Sequence, residues 1–244
     1  MMDEIYCGPA PTPATLPASW NIDAPAAVLC LLLIALYAVR GERDRRAAFV
    51  PAVLLVAALF MSPLCALTAA LFSARAVHHV LLVAVAAPLL AASFPTRRRG
   101  GRPRGLALLV ALHGLVFWAW HAPALYDAAI RSPVLYWPMQ LSLLGTGVLL
   151  WRAVLRDTRT GAALLALLAT VVQMGFLGAL LTFAREPLYQ AHFLTTAAFG
   201  LDPRQDQQLA GLVMWVPAAL PYLAAALYLA FVRLGAGTAE PRAG

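Results

Sequence analysis

Charged residues are scarce in this 244-residue chain, and lysine is absent from it. Charged side chains make up 12% of the residues and hydrophobic ones 62%, whereas a soluble domain has about 25% charged residues. One small core cannot cover so much apolar sequence, so a membrane location is expected. The net charge of +7 comes from short arginine clusters between apolar runs, a pattern typical of membrane topology signals, and nucleic acid is not expected as a partner.

Cysteine is also scarce, with only Cys7, Cys30 and Cys65. An odd and widely spaced set predicts no disulfide framework. The first 21 residues are rich in proline and carry Asp3 and Glu4 but no basic residue, unlike a cleavable signal with its positive start. We therefore interpret residues 1–21 as a periplasmic N-terminal arm.

The remaining sequence contains seven apolar runs long enough to cross a bilayer, separated by arginine-bearing or proline-bearing breaks. A span needs about 20 apolar residues, so the predicted fold is an all-α integral membrane bundle of seven transmembrane helices. The transmembrane domain is predicted at 22–233, followed by a cytoplasmic tail at 234–244. The predicted spans are 22–39, 47–72, 75–95, 105–122, 132–153, 160–184 and 208–233.

Arginine is distributed unequally between the two sides of this bundle. Fourteen arginines lie in or beside the segments 40–46, 97–104, 152–159 and 233–242. Only Arg75, Arg131, Arg185 and Arg204 fall on the opposite side. Because arginine-rich loops stay in the cytoplasm, the N-terminus is predicted outside and the C-terminus inside.

This orientation places four of the five histidines at the external face. His78 and His79 open span 3, His121 closes span 4, and His192 lies in the loop before span 7. His113 lies two turns deeper than His121 and about 80° away around the helix. A polar side chain at that depth is by default a functional hypothesis, although the two imidazoles cannot both point straight at one ion.

Sulfur ligands occur in the same outer half, at Met214, Cys7, Cys65 and Met61. Imidazole combined with thioether or thiolate suits a soft ion such as Cu(I). Asp206 is either a further ligand or a cap for the start of span 7. The alternative for each histidine is a hydrogen-bonded interfacial side chain, and for each methionine simple packing.

Four segments resemble the CtaG-like cytochrome c oxidase assembly factors, a multi-span family associated with caa-type oxidases: Tyr6–Pro9, Ala74–Leu82 with Ala87–Leu90, Trp120–Ala129 and Asp206–Trp215. The resemblance implies a non-enzymatic role in a bacterial inner membrane, with copper delivered to a haem-copper oxidase. Its implied partners are the oxidase subunits, the lipid bilayer and a periplasmic copper chaperone. It also implies functional roles for His79, His121, Asp206, Gln207 and Met214.

The chain departs from the family at the start of span 5, where histidines are expected and Tyr136 and Gln140 stand instead. Either those histidines are not essential, or this member binds its ion with fewer imidazoles, Met139 being a candidate replacement. The full set of candidate metal ligands is His78, His79, His121, Met214, Asp206 and His192.

Two other functions compete with copper delivery. A membrane haem protein would use histidines of spans 3 and 4 as axial ligands. A copper or proton transporter would need polar residues through the whole depth of the bundle, and the inner half is almost purely aliphatic.

Overall fold

The computed structural model describes residues 6–95 and 103–235, and within them the secondary structure is helical, with no strand. The all-α prediction is confirmed. The helices are α1 Ala24–Arg40, α2 Arg46–Met61, α3 Pro63–Ala70, α4 Phe72–Val80, α5 Ala87–Ser93, α6 Pro103–His121, α7 Pro123–Arg131, α8 Pro133–Arg156, α9 Thr160–Phe183, α10 Pro203–Trp215 and α11 Ala219–Gly235.

Four helical segments are long and apolar enough to cross a membrane by themselves: Phe72–Ser93, Pro133–Arg156, Thr160–Phe183 and Pro203–Arg233. Counting each of two bent helix pairs as one span brings the number of candidate spans to six: α2 with α3, bent by 50°, and α6 with α7, bent by 74°. Helix α1 is apolar but shorter, at 17 residues. Large apolar side chains such as Leu31, Leu165 and Phe231 face outward, as lipid contact requires, so this is a multi-pass membrane protein.

Two predicted spans keep their ends within a few residues but differ from the prediction inside or just beyond them, and proline explains both. The single span predicted at 47–72 is broken at Ser62, whose hydroxyl caps α3 by accepting a hydrogen bond from the Leu64 N–H. Residues after His121 were interpreted as a loop, but they form α7. Each new helix begins at a proline, which lacks the N–H that would continue the preceding helix and fits the first turn of the next.

The last span begins at Pro203, five residues before the predicted start. Asp202 accepts hydrogen bonds from the backbone N–H groups of Arg204 and Gln205, and the Gln205 side chain accepts one from the Asp202 N–H. This reciprocal capping box satisfies donors that would otherwise be orphaned at the helix start. The polar stretch before the apolar run is therefore already helical.

A six-residue π-helical segment, Leu81–Ala86, joins α4 to α5 in one continuous span. Pro88 follows directly and offers no N–H to the preceding turn. The carbonyl of Val83 instead accepts a hydrogen bond of 3.0 Å from the indole N–H of Trp151 on α8. A neighbouring helix thus satisfies the carbonyl group that a proline leaves free in a membrane.

The N-terminal arm is attached covalently to the bundle by a disulfide between Cys7 and Cys65. The cysteine count did not predict this pairing, because two cysteines 58 residues apart leave no local spacing signature. Gly8 has a φ of +86°, a left-handed conformation that glycine adopts without penalty. The Tyr6 ring stacks on Tyr136, with ring centroids 3.9 Å apart.

Helix α10 lies between α4 and α9 and packs closely on both. Gly178 on α9 faces Gly211 on α10, and the absence of side chains at both positions allows the two helices to approach closely. On the opposite side of the bundle, Arg233 donates to the carbonyl oxygens of Asp157 and Leu155. The predicted arginine cluster at 97–102 and the predicted tail from 236 onward lie outside the described residues.

Candidate metal centre

His79 on α4, His121 on α6 and Met214 on α10 line one cavity of about 30 Å³ between the helices. The helices of predicted spans 3, 4 and 7 therefore meet at this cavity. Two further candidate donors, His113 and Met174, line the same cavity. The cavity is not a shallow rim site, as the sequence suggested, because His79 is only 6% exposed and His121 only 5%.

Two of the imidazoles that line the cavity lie beside each other, those of His79 and His121, with ring centroids 5.9 Å apart. A copper–nitrogen bond of about 2 Å places an imidazole centroid about 3 Å from the ion. Two rings on opposite sides of one ion would thus have centroids about 6 Å apart. The observed separation fits a two-imidazole site.

The ring orientation of His121 is fixed by a backbone hydrogen bond. Its Nδ1 lies 2.7 Å from the carbonyl oxygen of Phe117. A carbonyl oxygen can only accept, so Nδ1 carries the hydrogen and Nε2 keeps its lone pair. Metal-bound histidines commonly donate their other N–H to a backbone carbonyl in this way.

One ring nitrogen of His79 is hydrogen-bonded to the side chain of Gln140, with the Gln140 Nε2 3.3 Å from the His79 Nε2. The second nitrogen, Nδ1, is buried without a hydrogen-bond partner. The amide nitrogen donates, so the His79 Nε2 accepts and the hydrogen is on Nδ1 in this arrangement. With the amide rotated, its oxygen would accept from the Nε2–H and the lone pair would be on Nδ1. Gln140 is one of the two positions where the resemblance led us to expect a histidine, so an amide stands beside His79 where an imidazole was expected.

Tyr136, the other position where a histidine was expected, makes different contacts. Its hydroxyl oxygen accepts a hydrogen bond of 3.3 Å from the Arg75 guanidinium, and its ring stacks with Tyr6 of the arm. Neither Tyr136 nor Met139 is among the residues that line the cavity. Met139 therefore does not replace the missing imidazole there.

His78 and His192 were predicted as ligands, but neither lines the cavity. His78 packs against Phe60, with ring centroids 5.0 Å apart. The Nε2 of His192 lies 2.8 Å from the Tyr126 hydroxyl. Burial, aided by the charge of Arg75, lowers the pKa of His192 to about 3, so this loop histidine is neutral at physiological pH.

Asp206 does not cap its own helix, and it does not line the cavity either. Its carboxylate accepts hydrogen bonds from the backbone N–H of Phe72 at 2.6 Å and of Ser73 at 3.1 Å, and from the Ser73 hydroxyl. It therefore caps the start of α4, a helix 130 residues earlier in the chain, where a negative charge also complements the helix dipole. Both of its oxygens are engaged in this structural contact.

Four other candidates, Gln207, Cys7, Cys65 and Met61, do not line the cavity. The Gln207 side chain accepts a hydrogen bond from the Leu188 N–H at 2.7 Å and holds the loop before α10. Cys7 and Cys65 are joined to each other, so neither offers a thiolate in this state.

Met174 is the cavity residue that sequence reasoning missed. It lies in the middle of α9, where a methionine in an apolar span is usually interpreted as packing. Its neighbour Gln173 was the available signal, because an amide at that depth is costly and faces a cavity or a partner.

Across residues 6–95 and 103–235, no three His, Cys, Asp or Glu side chains are grouped closely enough to hold one metal ion. The cavity therefore lacks the four-ligand shell of a structural zinc site. Near its outer end it offers the imidazoles of His79 and His121 and the thioether of Met214, a donor set that suits a soft ion of low coordination number.

The fold and this cavity define a multi-pass helical membrane protein with a buried, ligand-lined pocket. Residues 29–234 match the model of a family described as cytochrome c oxidase caa3 assembly factor. The chain belongs to this family of oxidase assembly factors, which suggests a bacterial membrane and the oxidase as partner. No curated protein and no solved structure matches the chain.

Proposed function

We propose that this protein is a non-enzymatic assembly factor that binds Cu(I) through His79, His121 and Met214 and passes it to a subunit of cytochrome c oxidase. The observation that carries the proposal is the placement of two buried imidazoles and a thioether around one cavity. Membership of the assembly-factor family supports the oxidase as recipient. A periplasmic copper chaperone is the proposed donor of the ion.

The size and lining of the cavity favour Cu(I) over a hydrated divalent ion. One water needs about 10–15 Å³ of such space, so a cavity of about 30 Å³ cannot admit an ion with its hydration shell. Mg²⁺ and Ca²⁺ also prefer oxygen ligands, whereas imidazole and thioether suit Cu(I). A site with only three ligands also leaves the ion open to exchange with a partner.

We further propose seven spans, with the N-terminus in the periplasm and the C-terminus in the cytoplasm. Helix α1 would be the seventh span, since its 17 residues reach about 26 Å, close to the hydrocarbon thickness of about 30 Å. The disulfide at Cys7 supports an oxidising compartment on the N-terminal side. The excess of arginine supports the cytoplasm on the other side.

Accessibility labelling tests this topology. Labels after residue 45 or 157 should report the cytoplasm, and labels near 127 or 200 the periplasm. Cytoplasmic labelling at 200 would place the cavity on the wrong side for periplasmic copper and would overturn the proposed route.

The copper assignment is tested by His79→Ala and His121→Ala, each produced in a host that depends on the oxidase. Copper content of the purified protein and oxidase activity should fall together, because each variant removes an imidazole of the cavity. Added copper should partly restore activity by mass action. The amounts of inserted protein are measured in parallel, since both side chains are buried.

His78→Ala is the matched control, because it removes a buried histidine beside His79 that does not line the cavity. It should keep the copper content of the wild type. Normal oxidase levels under copper limitation in both His79→Ala and His121→Ala would refute copper delivery and leave a scaffolding role.

A further inference from the structure

His113 is a buried cavity residue that the proposed function does not use. It lies on α6, eight residues and about 12 Å of helix rise before His121, and it lines the same cavity. An imidazole at this depth is costly unless its polar atoms have partners. Each of its two ring nitrogens is therefore expected to have a partner.

The Nδ1 of His113 lies 2.9 Å from the hydroxyl oxygen of Thr146 on α8. That hydroxyl has one proton, and it donates it to the carbonyl oxygen of Ser142 at 2.7 Å. The hydroxyl oxygen can therefore only accept from His113, so the hydrogen is on Nδ1 and the lone pair on Nε2. The chain from Ser142 through Thr146 prepares His113 as a ligand in the way that an outer hydrogen bond prepares a metal-bound histidine.

A second soft donor lines the cavity with His113. The Met174 side chain comes from α9, is largely buried and lines the cavity. Close packing confines His113 on its other side, because a Cβ on Gly147 would lie 3.9 Å from its Cε1. The cavity therefore presents imidazole and thioether at a second depth.

We propose that the Nε2 of His113 and the thioether of Met174 form an inner binding position for Cu(I), distinct from the outer position at His79 and His121. This inference rests on the proposed function, because it concerns the same ion in the same cavity. Two cations repel strongly in a narrow apolar cavity. One ion therefore exchanges between the two positions, and the inner one retains the ion when the outer ligands are absent.

The test uses the full-length His79→Ala/His121→Ala double variant, reconstituted in lipid nanodiscs. Cu(I) binding is measured by competition with a chromophoric Cu(I) chelator, and the ligands are identified by X-ray absorption at the copper edge. The double variant should still bind one equivalent of Cu(I), more weakly than the wild type, with a sulfur ligand in the spectrum. Adding His113→Leu should abolish this binding.

A matched pair of threonine variants covers the case in which the His113 variant fails to fold. Thr146→Val in the double-variant background removes the hydrogen bond that orients His113 and should weaken Cu(I) binding about 10–100-fold. Thr170→Val should have no such effect, because Thr170 lines the same cavity but donates its proton to the Ala166 carbonyl.

The outcomes separate this inference from the proposed function. If the wild type binds Cu(I) and the double variant binds none, the inner position is refuted and the outer one stands. Residual binding that is unchanged by both His113→Leu and Thr146→Val also refutes it. If the wild type itself binds no Cu(I), the proposed function fails.

Discussion

Replacing Gly211 by alanine tests the contact that holds α10 against α9. A Cβ at this position would lie 2.4 Å from the Thr182 hydroxyl oxygen, 2.6 Å from the Gly178 carbonyl oxygen and 2.8 Å from the Thr182 nitrogen. Ordinary contacts of this kind are about 3.5 Å. Two of the three atoms belong to the backbone, so the helices must separate by roughly 0.7–0.9 Å, the difference from that contact distance.

The energetic effect combines two opposing contributions. Overpacking of this kind costs about 1–3 kcal/mol, while alanine gains about 1 kcal/mol over glycine in a helix interior. Gly145→Ala is the matched control, because Gly145 lies within α8 and a Cβ there meets nothing within 4 Å. The control should gain only the stabilisation that comes from the higher helix propensity of alanine. The two variants should therefore differ in unfolding free energy by the overpacking cost of about 1–3 kcal/mol.

The assay is denaturant or thermal unfolding of both variants in the same lipid nanodiscs, followed by Cu(I) titration. Gly211→Ala should also weaken copper binding, because Met214 is three residues further along α10 and would move with it. Added copper should not restore the stability of the apo protein. Equal stabilisation by Gly211→Ala and Gly145→Ala would show that the helices do not approach as closely as described.

Three further predictions concern individual side chains. Gln140→His should strengthen Cu(I) binding by adding a third imidazole beside His79, measured by chelator competition, and unchanged affinity would contradict the proposed site. His192 stays neutral in the folded protein down to a pKa of about 3, whereas the unfolded chain binds a proton near pH 6.5. Stability should therefore fall by about 2 kcal/mol between pH 6.5 and 5, and His192→Gln should show a smaller fall in unfolding measurements at both pH values. Met214→Leu should keep the fold, because the volumes are similar, but should remove a sulfur ligand from the X-ray absorption spectrum of the copper-loaded protein, which an unchanged spectrum would refute.

The helices were largely predictable because their signal is local. Apolar runs of sufficient length marked the membrane segments to within a few residues at most ends. The break at Ser62 and the helix after Ala122 were not predicted, although a proline follows each of these residues, because a proline in or beside an apolar run is compatible with a kink, a helix end or a new helix. Only the packing of the neighbouring helices decides between the two.

The candidate site was predictable only in part, because its contacts are between distant segments. The convergence of His79, His121 and Met214 followed from their similar depth in the bundle. The carboxylate of Asp206 lies one turn from a helix start, so a local capping interaction was the natural interpretation. Its actual partners, Phe72 and Ser73, are some 130 residues away and are reached only after α10 has packed beside α4.

The Asp206 cap also affects how the two halves of the cavity can move. One carboxylate ties the start of α10 to the start of α4, the two helices that carry Met214 and His79. His121 lies on α6, at the end where the chain bends by 74° into α7, and shares no such tie. A displacement of α6 relative to the pair of α4 and α10 would therefore separate one imidazole from the other two donors.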